Sequence, residues 1–527
     1  MLMLCLCAGA KADVCIYGGS ASGCIAAIQA ARMGRKTVLV IQNGHVGGLP
    51  TSGLTATDMN RHTVVGGVTA EFYGRIYDYY LDPAVWRNQT RDEFMVSTLK
   101  RTFTGKNDKR RIQWVYEAGV AQKILRGMLD SAGVTVIDGM LAEKAGVKMC
   151  GRKIRSIRLL DGTLIKAGMF IDASYTGDLM AAAGVSYTVG REGRSQYGED
   201  LAGIRINFNI KDLENVSPYH PLTGKLLPYV DEKPWGEAGD ADSRVQSYCY
   251  RVTLTDDPSN MVPITQPDTY NPDLYMVLLG SILNRPGIEL KKIITFTPMP
   301  NRKTDTNHLD FFGAAHEYPE ASYERRAQIE KAHADYARGM LWFLGHDERV
   351  PQNLRDEMLR WGYAADEYTD NGNFPPQMYI REARRMVGEY VMTQKNLNRN
   401  GREPAPESVG MGSYPFDCHF LSTVMVDGKM YREGTMYISM PPYPICYHSL
   451  TPKRGECSNL LVTVCLSASH VAYASLRMEP QYMVLGQSAA TAACMCLDRR
   501  CNVQDLDYAS LRERLLSDGQ KLEIIKK

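Results

Sequence analysis

The chain has 527 residues, too many for one compact core, and this length predicts about two to four structural units of roughly 150 residues each. Hydrophobic residues at 44% and charged residues at 23% provide an ordinary globular core and exclude general disorder. A net charge of +2 without a long basic stripe argues against nucleic acid as the main partner, and no stretch reaches the ~18 consecutive apolar residues of a membrane helix.

Residues 2–9 are short and apolar and lead into Ala10-Lys11-Ala12, which has the small-x-small form of a signal-peptide cleavage site. A positively charged n-region is missing and a strand begins almost at once at Asp13. Two readings stay open: an exported chain with residues 1–12 as a signal remnant, or a cytoplasmic chain with a plain strand leader. The 13 cysteines are odd in number and not spaced as a disulfide scaffold. Cys494, Cys496 and Cys501 have no fourth ligand at a familiar spacing, so no metal site is expected and buried small hydrophobes are the reading.

Val14-Cys15-Ile16-Tyr17 reads as a buried parallel strand that runs straight into Gly18-Gly19-Ser20-Ala21-Ser22-Gly23 and then a helix. In the dinucleotide fingerprint the first glycine makes the tight turn, the second admits the pyrophosphate and the third lets helix and strand pack. Gly18 and Gly23 fill the first and third roles. Ser20 replaces the second, and its hydroxyl is expected to donate to a phosphate. Ala27 gives the helix a small face and Gly34 stops it, before a second strand at 37–41. Gln42 stands where an acid normally binds the adenosine ribose, so the contact is an amide's without charge assistance. The Gly-rich run from Asn43 to Gly53 exceeds what a simple NAD domain needs and suits an extended FAD lying close to backbone.

Further along, residues 120–129 have helical apolar spacing, with Glu117 read as an acid complementing the helix dipole, and 134–137 form another strand. A strand at 169–171 ends at Asp172, and Gly177-Asp178 turns into a short helix. From about Gly198 to Tyr447 the strand–helix alternation gives way to turn-rich aromatic sequence with helices expected at 323–344 and 378–396. Arg381, Arg384 and Arg385 share one side of a turn, either pairing with Glu382 and Glu389 on a solvated face or orienting an anionic or polyhydroxy substrate. Asp417 and His419, two apart in extended chain, are a candidate acid–base pair, whereas Asp256 and Asp257 read as turn formers. A strand at 460–466 leads to His470, then to Pro480 near the start of a helix over 481–495 whose positive end can stabilise a reduced flavin.

Phe170-Ile171-Asp172-Ala173-Ser174-Tyr175-Thr176-Gly177-Asp178-Leu179, the run from Tyr379 to Tyr390, Gly410-Met411-Gly412-Ser413-Tyr414, Ser469-His470 and Arg477-Met478-Glu479-Pro480 join the N-terminal motif in one pattern. It resembles the FAD-dependent oxidoreductase family of glutathione-reductase-like fold, common in bacteria, over nearly the whole chain. The family is also similar to the flavin-bearing subunit of heterodisulfide reductases, which adds iron–sulfur clusters; this chain has no C-x2-C-x2-C run.

The resemblance implies an α/β fold in which a Rossmann-like FAD-binding domain, residues 13–200 plus 445–500, carries an inserted α+β cap or substrate domain at 201–444 and a C-terminal tail at 501–527. FAD is the implied cofactor. Its contacts fall on Gly18, Gly19, Ser20, Ala21, Ser22, Gly23, Gln42, Asn43, Gly47, Gly48, Thr51, Ser52, Gly53, Gly177 and Asp178. Gly486 is added from the helix that closes the flavin site, where small residues also let it lie close to the sheet. The implied activity is hydride transfer between a small polar organic substrate and flavin N5, with His470 for proton handling, Arg477, Arg381 and His419 for orientation, and Asp417 beside His419. The alternative is a flavoprotein that passes electrons to a protein partner.

Overall fold

The computed structural model describes residues 9–98, 110–397 and 403–524; residues 1–8, the bulk of the possible signal segment, lie outside them. Five strands, Val14–Tyr17 (β1), Thr37–Ile41 (β2), Thr135–Asp138 (β3), Met169–Asp172 (β4) and Leu460–Val462 (β5), form one parallel sheet in the order β5-β4-β1-β2-β3. Parallel strands covered on both faces read as unbroken apolar runs, and β1, β2, β4 and β5 are buried at every position. Only β3, at the sheet edge, is partly exposed.

The period-two alternation of these strands divides the core into two layers. Val14, Ile16, Leu39 and Ile171 face the helices Ala21–Arg32 (α1), Ala118–Ala132 (α2) and Glu479–Arg499 (α5), each buried aliphatic contributing about 1.5–3 kcal/mol. Cys15, Tyr17, Val38, Val40 and Phe170 face Ile154, Ile157 and Ile165 of a four-stranded sheet on the opposite side. Gly9–Lys11, at the possible cleavage site, is a strand of that second sheet, paired in parallel with Leu164–Lys166.

The expected strand over 460–466 stops at Val462, because its neighbour β4 ends at Asp172 and offers no further ladder. Between β4 and β5 the chain builds mainly antiparallel structure. A five-stranded sheet carries Val252–Thr255 at its centre, and Ser422–Val426 pairs with Lys429–Glu433. The helix expected at 323–344 is present as Tyr323–His346 (α3), capped by the Ser322 hydroxyl, and His470–Leu476 (α4) precedes α5.

The helix expected at 378–396 is absent. Its backbone donors are committed to distant partners, Tyr379 N to Cys249 O, Met386 N to Cys465 O and Val387 N to Ser186 O. No i→i−4 ladder can form on donors already used, so the segment is extended except for Gln394–Leu397. Its arginines are not on a solvated face either. Arg381 pairs with Asp310 (2.6 Å), Arg384 with Asp178 (2.7 Å) and Glu320 (2.6 Å), and Arg385 with Glu192 (2.6 Å) and Glu382. Tertiary ion pairing has overridden the local helical spacing.

Candidate functional site

A glycine cradle lies at the C-terminal ends of β1 and β4. Gly18 has φ +118°, and a Cβ there would run into the backbone of Ala173 and Ser174; one on Gly23 would run into Gly18 O. These are the tight-turn and helix-packing roles that the spacing predicted. Ser20 is the N-cap of α1: its hydroxyl donates to Ala173 O (2.7 Å) and accepts from Gly23 N (3.3 Å). The expected phosphate contact of that hydroxyl is thereby replaced by a capping role, leaving the first amides of α1 as anion donors.

Gly47 N donates to Gly19 O (2.8 Å), so the second Gly-rich run crosses directly over the first. Gly48 has φ +60° and sits against the Tyr175 hydroxyl and Ser20 Cα. Gln42 is half-buried with Oε1 at 3.5 Å from Gly19 N, whereas Asn43 is exposed. Thr51 donates to Val46 O (2.7 Å) and Ser52 contacts His45 Nε2 (2.8 Å), so both hydroxyls hold the loop itself. Gly53 packs on Arg251 O, Gly486 on Ser22 of α1, and Gly177 caps the helix Asp178–Ala182. Asp178 is clamped by Arg326 and Arg384; burial alone would raise its carboxyl, and the two guanidinium groups hold it below the usual range.

Next to the cradle, Glu479 opens α5. Its Oε1 accepts from the Tyr175 hydroxyl (2.8 Å), which accepts from Leu49 N (3.0 Å), while Oε2 is buried without a hydrogen-bond partner. Burial pushes this carboxyl up to about 8, so it is a neutral acid at pH 7. A cradle whose glycines admit no Cβ, leading to a buried polar atom in need of a partner at a helix N-terminus, fits an extended dinucleotide with a polar ring system.

Two residues before Glu479, Arg477 donates to the Tyr379 hydroxyl (2.8 Å) and to Asp417 O (2.7 Å), with Asp417 Oδ2 at 3.2 Å. Arg381 lies over the Tyr379 ring at 4.5 Å and pairs with Asp310, whose Oδ2 is 3.0 Å from His419 Nδ1. Asp417 and His419 are therefore not paired with each other: each has its own partner behind it. Both line a cavity of about 400 Å³ with Cys418, His308 and Asp310. His470 is buried away from it, with Nδ1 2.8 Å from Glu382 Oε1 and Nε2 3.6 Å from Cys418 Sγ. Glu117, read as a dipole acid, stands at the N-cap of α2 and also shares Lys303 Nζ (2.7 Å) with Glu367 (2.9 Å) and Asp366 (2.8 Å) in a buried ion cluster. Asp257 does cap a turn, accepting from Ser259 N.

Sequence reasoning passed over Tyr175, Glu479, Tyr379 and Asp310 as site residues. The first three stand inside the motifs quoted for the family resemblance, which was the available signal. Asp310 had none, being 109 residues from its partner. Among the described residues no His, Cys, Asp or Glu cluster could hold a metal, and no helix is long and apolar enough to cross a membrane.

The model of one family, described as FAD dependent oxidoreductase, matches residues 13–515. No curated protein shows a significant match. Among solved structures the chain is similar to L-proline dehydrogenase from P. horikoshii (14% identity, 35% of this chain, 59% of that chain, TM-score 0.24). It is also similar to L-amino acid deaminase from Proteus vulgaris (14%, 34%, 52%, TM-score 0.24) and to Thermovibrio ammonificans THI4 (18%, 34%, 66%, TM-score 0.22). The chain spans less than two thirds of the length of each.

Proposed function

Because the chain belongs to the FAD dependent oxidoreductase family and is a flavin enzyme, we propose that it moves hydride between a small polar organic substrate and flavin N5. Bound FAD supplies the hydride acceptor. The glycines of the two crossing runs and the first amides of α1 bind its phosphates, Gln42 meets a ribose hydroxyl, and Glu479 offers a neutral carboxyl to the ring system. The remaining work falls to this chain's own side chains. Arg381 and Arg477, braced on Tyr379, fix the substrate end of the cavity through Asp310 and Asp417. With Nδ1 of His419 engaged by Asp310, Nε2 is the nitrogen that takes the O–H or N–H proton. His470, salt-bridged to Glu382 and touching Cys418, is a positioning residue for this wall rather than the proton acceptor. In this reading residues 13–200 plus 445–500 form a glutathione-reductase-like FAD domain and 201–444 its cap.

The observation that carries the proposal is the cavity whose polar end, Asp417 to His419, is tied by Arg477 to the start of α5. A cavity of this kind favours a small molecule over a protein electron acceptor. The test is a visible spectrum of the purified protein followed by anaerobic mixing with hydroxy acids, sugars, amines and reduced nicotinamides. Flavin bands bleached by one small-molecule class support the reading; flavin that only a protein partner reduces or oxidises overturns it.

A further inference from the structure

The cavity carries a group of basic side chains that the proposed chemistry leaves unused. Arg432, Arg285 and Lys292 line it along with His419. Arg432 is 7% exposed, with Nη1 donating to Thr423 Oγ1 (2.8 Å). The carboxylate nearest to it is Asp212, at 3.5 Å from Nη2. Its guanidinium lies over the rings of Phe312 (4.7 Å) and Phe420 (5.8 Å). Arg285 is satisfied by Ser281, through the backbone oxygen (2.9 Å) and the hydroxyl (2.7 Å), and among the described residues neither it nor Lys292 has a carboxylate in ion-pair range.

Charge decides what this group takes. Asp310 and Asp417 are each compensated by a guanidinium, Arg381 and Arg477. That leaves three lining cations against one lining carboxylate, Asp212, which pairs with Arg432 and also touches the Ser281 hydroxyl at 3.4 Å. Burial pulls the Arg432 guanidinium below its usual range in spite of Asp212, as expected of a buried cation short of counter-charge. The lining is also apolar: Phe311 stacks on Tyr336 at 4.1 Å and 5°, and Leu278, Ile293 and Met340 line the same cavity.

We propose that this cavity binds an elongated organic anion, a carboxylate joined to an aromatic or comparably flat apolar body, with the carboxylate on Arg432, Arg285 and Lys292 and the body along Phe311 and Tyr336. A guanidinium presents paired donors to a carboxylate, and the flanking rings exclude water, so the contact is charge-assisted in a low dielectric. His419 lines the same cavity. This assignment rests on the reading of the cavity as the substrate site, but its chemistry is a matter of binding and is measured apart from turnover.

The test is calorimetric titration of the FAD-loaded protein with benzoate, 3-phenylpropanoate and 4-hydroxyphenylacetate, each beside its neutral amide. At least one acid is expected to bind about tenfold or more tighter than its amide, a difference that shrinks with added salt. Arg285→Gln and Lys292→Gln, at half-buried and exposed positions that leave the core intact, are expected to remove most of that preference; Arg432→Gln should remove the rest if it folds. Acids and amides binding equally, no acid binding at all, or a preference untouched by Arg285→Gln each overturn the assignment. Acid binding without any flavin bleaching by an oxidisable acid would leave the anion site standing and sink the hydride-transfer reading. Bleaching by neutral substrates with no acid bound would do the reverse.

Discussion

His470 Nδ1 lies 2.8 Å from Glu382 Oε1 and 3.0 Å from Oε2, and both side chains are shut off from solvent. Burial opposes an imidazolium, yet the Glu382 carboxylate, with the Cys418 sulfur, outweighs it and raises His470 to about 10. Glu382 in turn is kept below the usual carboxylate range by His470 and Arg385, against its own burial. The histidine is thus charged at neutral pH and held as a structural cation.

A raised histidine contributes stability that is fully present below the ordinary value of 6.5 and is lost as pH rises toward 10. Thermal melts across that window are expected to show a falling transition temperature. In Glu382→Gln the cation loses its carboxylate, the protein is destabilised by about 3–5 kcal/mol, and this part of the slope disappears. A variant as stable as the parent, with the same pH slope, would show that the pair does not hold the wall.

Glu479 couples to stability in the opposite sense to a carboxylate held down by a cation, such as Glu382. With its carboxyl raised to about 8 by burial, the stability it contributes is present below 4.5 and declines as pH rises through 8. FAD affinity, followed by quenching of flavin fluorescence, is expected to weaken above pH 8 in the parent. Glu479→Gln, neutral at every pH, is expected to keep the parent's neutral-pH affinity and lose that dependence. An unchanged alkaline decline in the variant would assign it to another group.

The parallel sheet was legible because each of its cues is local: β1, β2 and β4 are short apolar runs, Gly18 and Gly34 mark turns at positive φ, and Gly23 marks the close approach of α1 to the turn. The cavity was not. His419 depends on Asp310 and Arg477 on Tyr379, pairs made by chain reversals that leave no spacing in the sequence. Arg381, Arg384 and Arg385 misled for the same reason. Their three- and four-residue intervals fit a helix, but apart from Glu382 the carboxylates that claim them, Asp310, Asp178, Glu320 and Glu192, are distant in sequence.

Gln42 offers a direct test of the cradle. An acid at this position would accept a ribose hydroxyl with charge assistance, worth about 1 kcal/mol more than an amide. Gln42→Glu is accordingly expected to tighten FAD binding about fivefold. Gly48→Ala, which places a methyl against the Tyr175 hydroxyl at φ +60°, is expected to release FAD while far-ultraviolet circular dichroism is retained. FAD bound equally well by parent and Gly48→Ala would mean that the cofactor does not lie against the crossing of the two glycine runs.

His419 is the last point at which geometry commits to a role. It is the cavity histidine with a carboxylate behind it, Asp310 at 3.0 Å, and Asp310 is itself fixed by Arg381. Removing the base while leaving the cradle intact separates proton transfer from cofactor binding. His419→Ala is expected to slow flavin reduction by about 10²–10⁴-fold, with the flavin spectrum and substrate Kd nearly unchanged. Asp310→Asn, which keeps the shape but weakens the hold on both His419 and Arg381, should cost rate and stability together, because it leaves a buried guanidinium without its counter-charge. Stopped-flow reduction read beside thermal melts distinguishes the two variants. Reduction at the parent's rate in His419→Ala would move the proton acceptor elsewhere in the cavity, with Asp417 next to be tested.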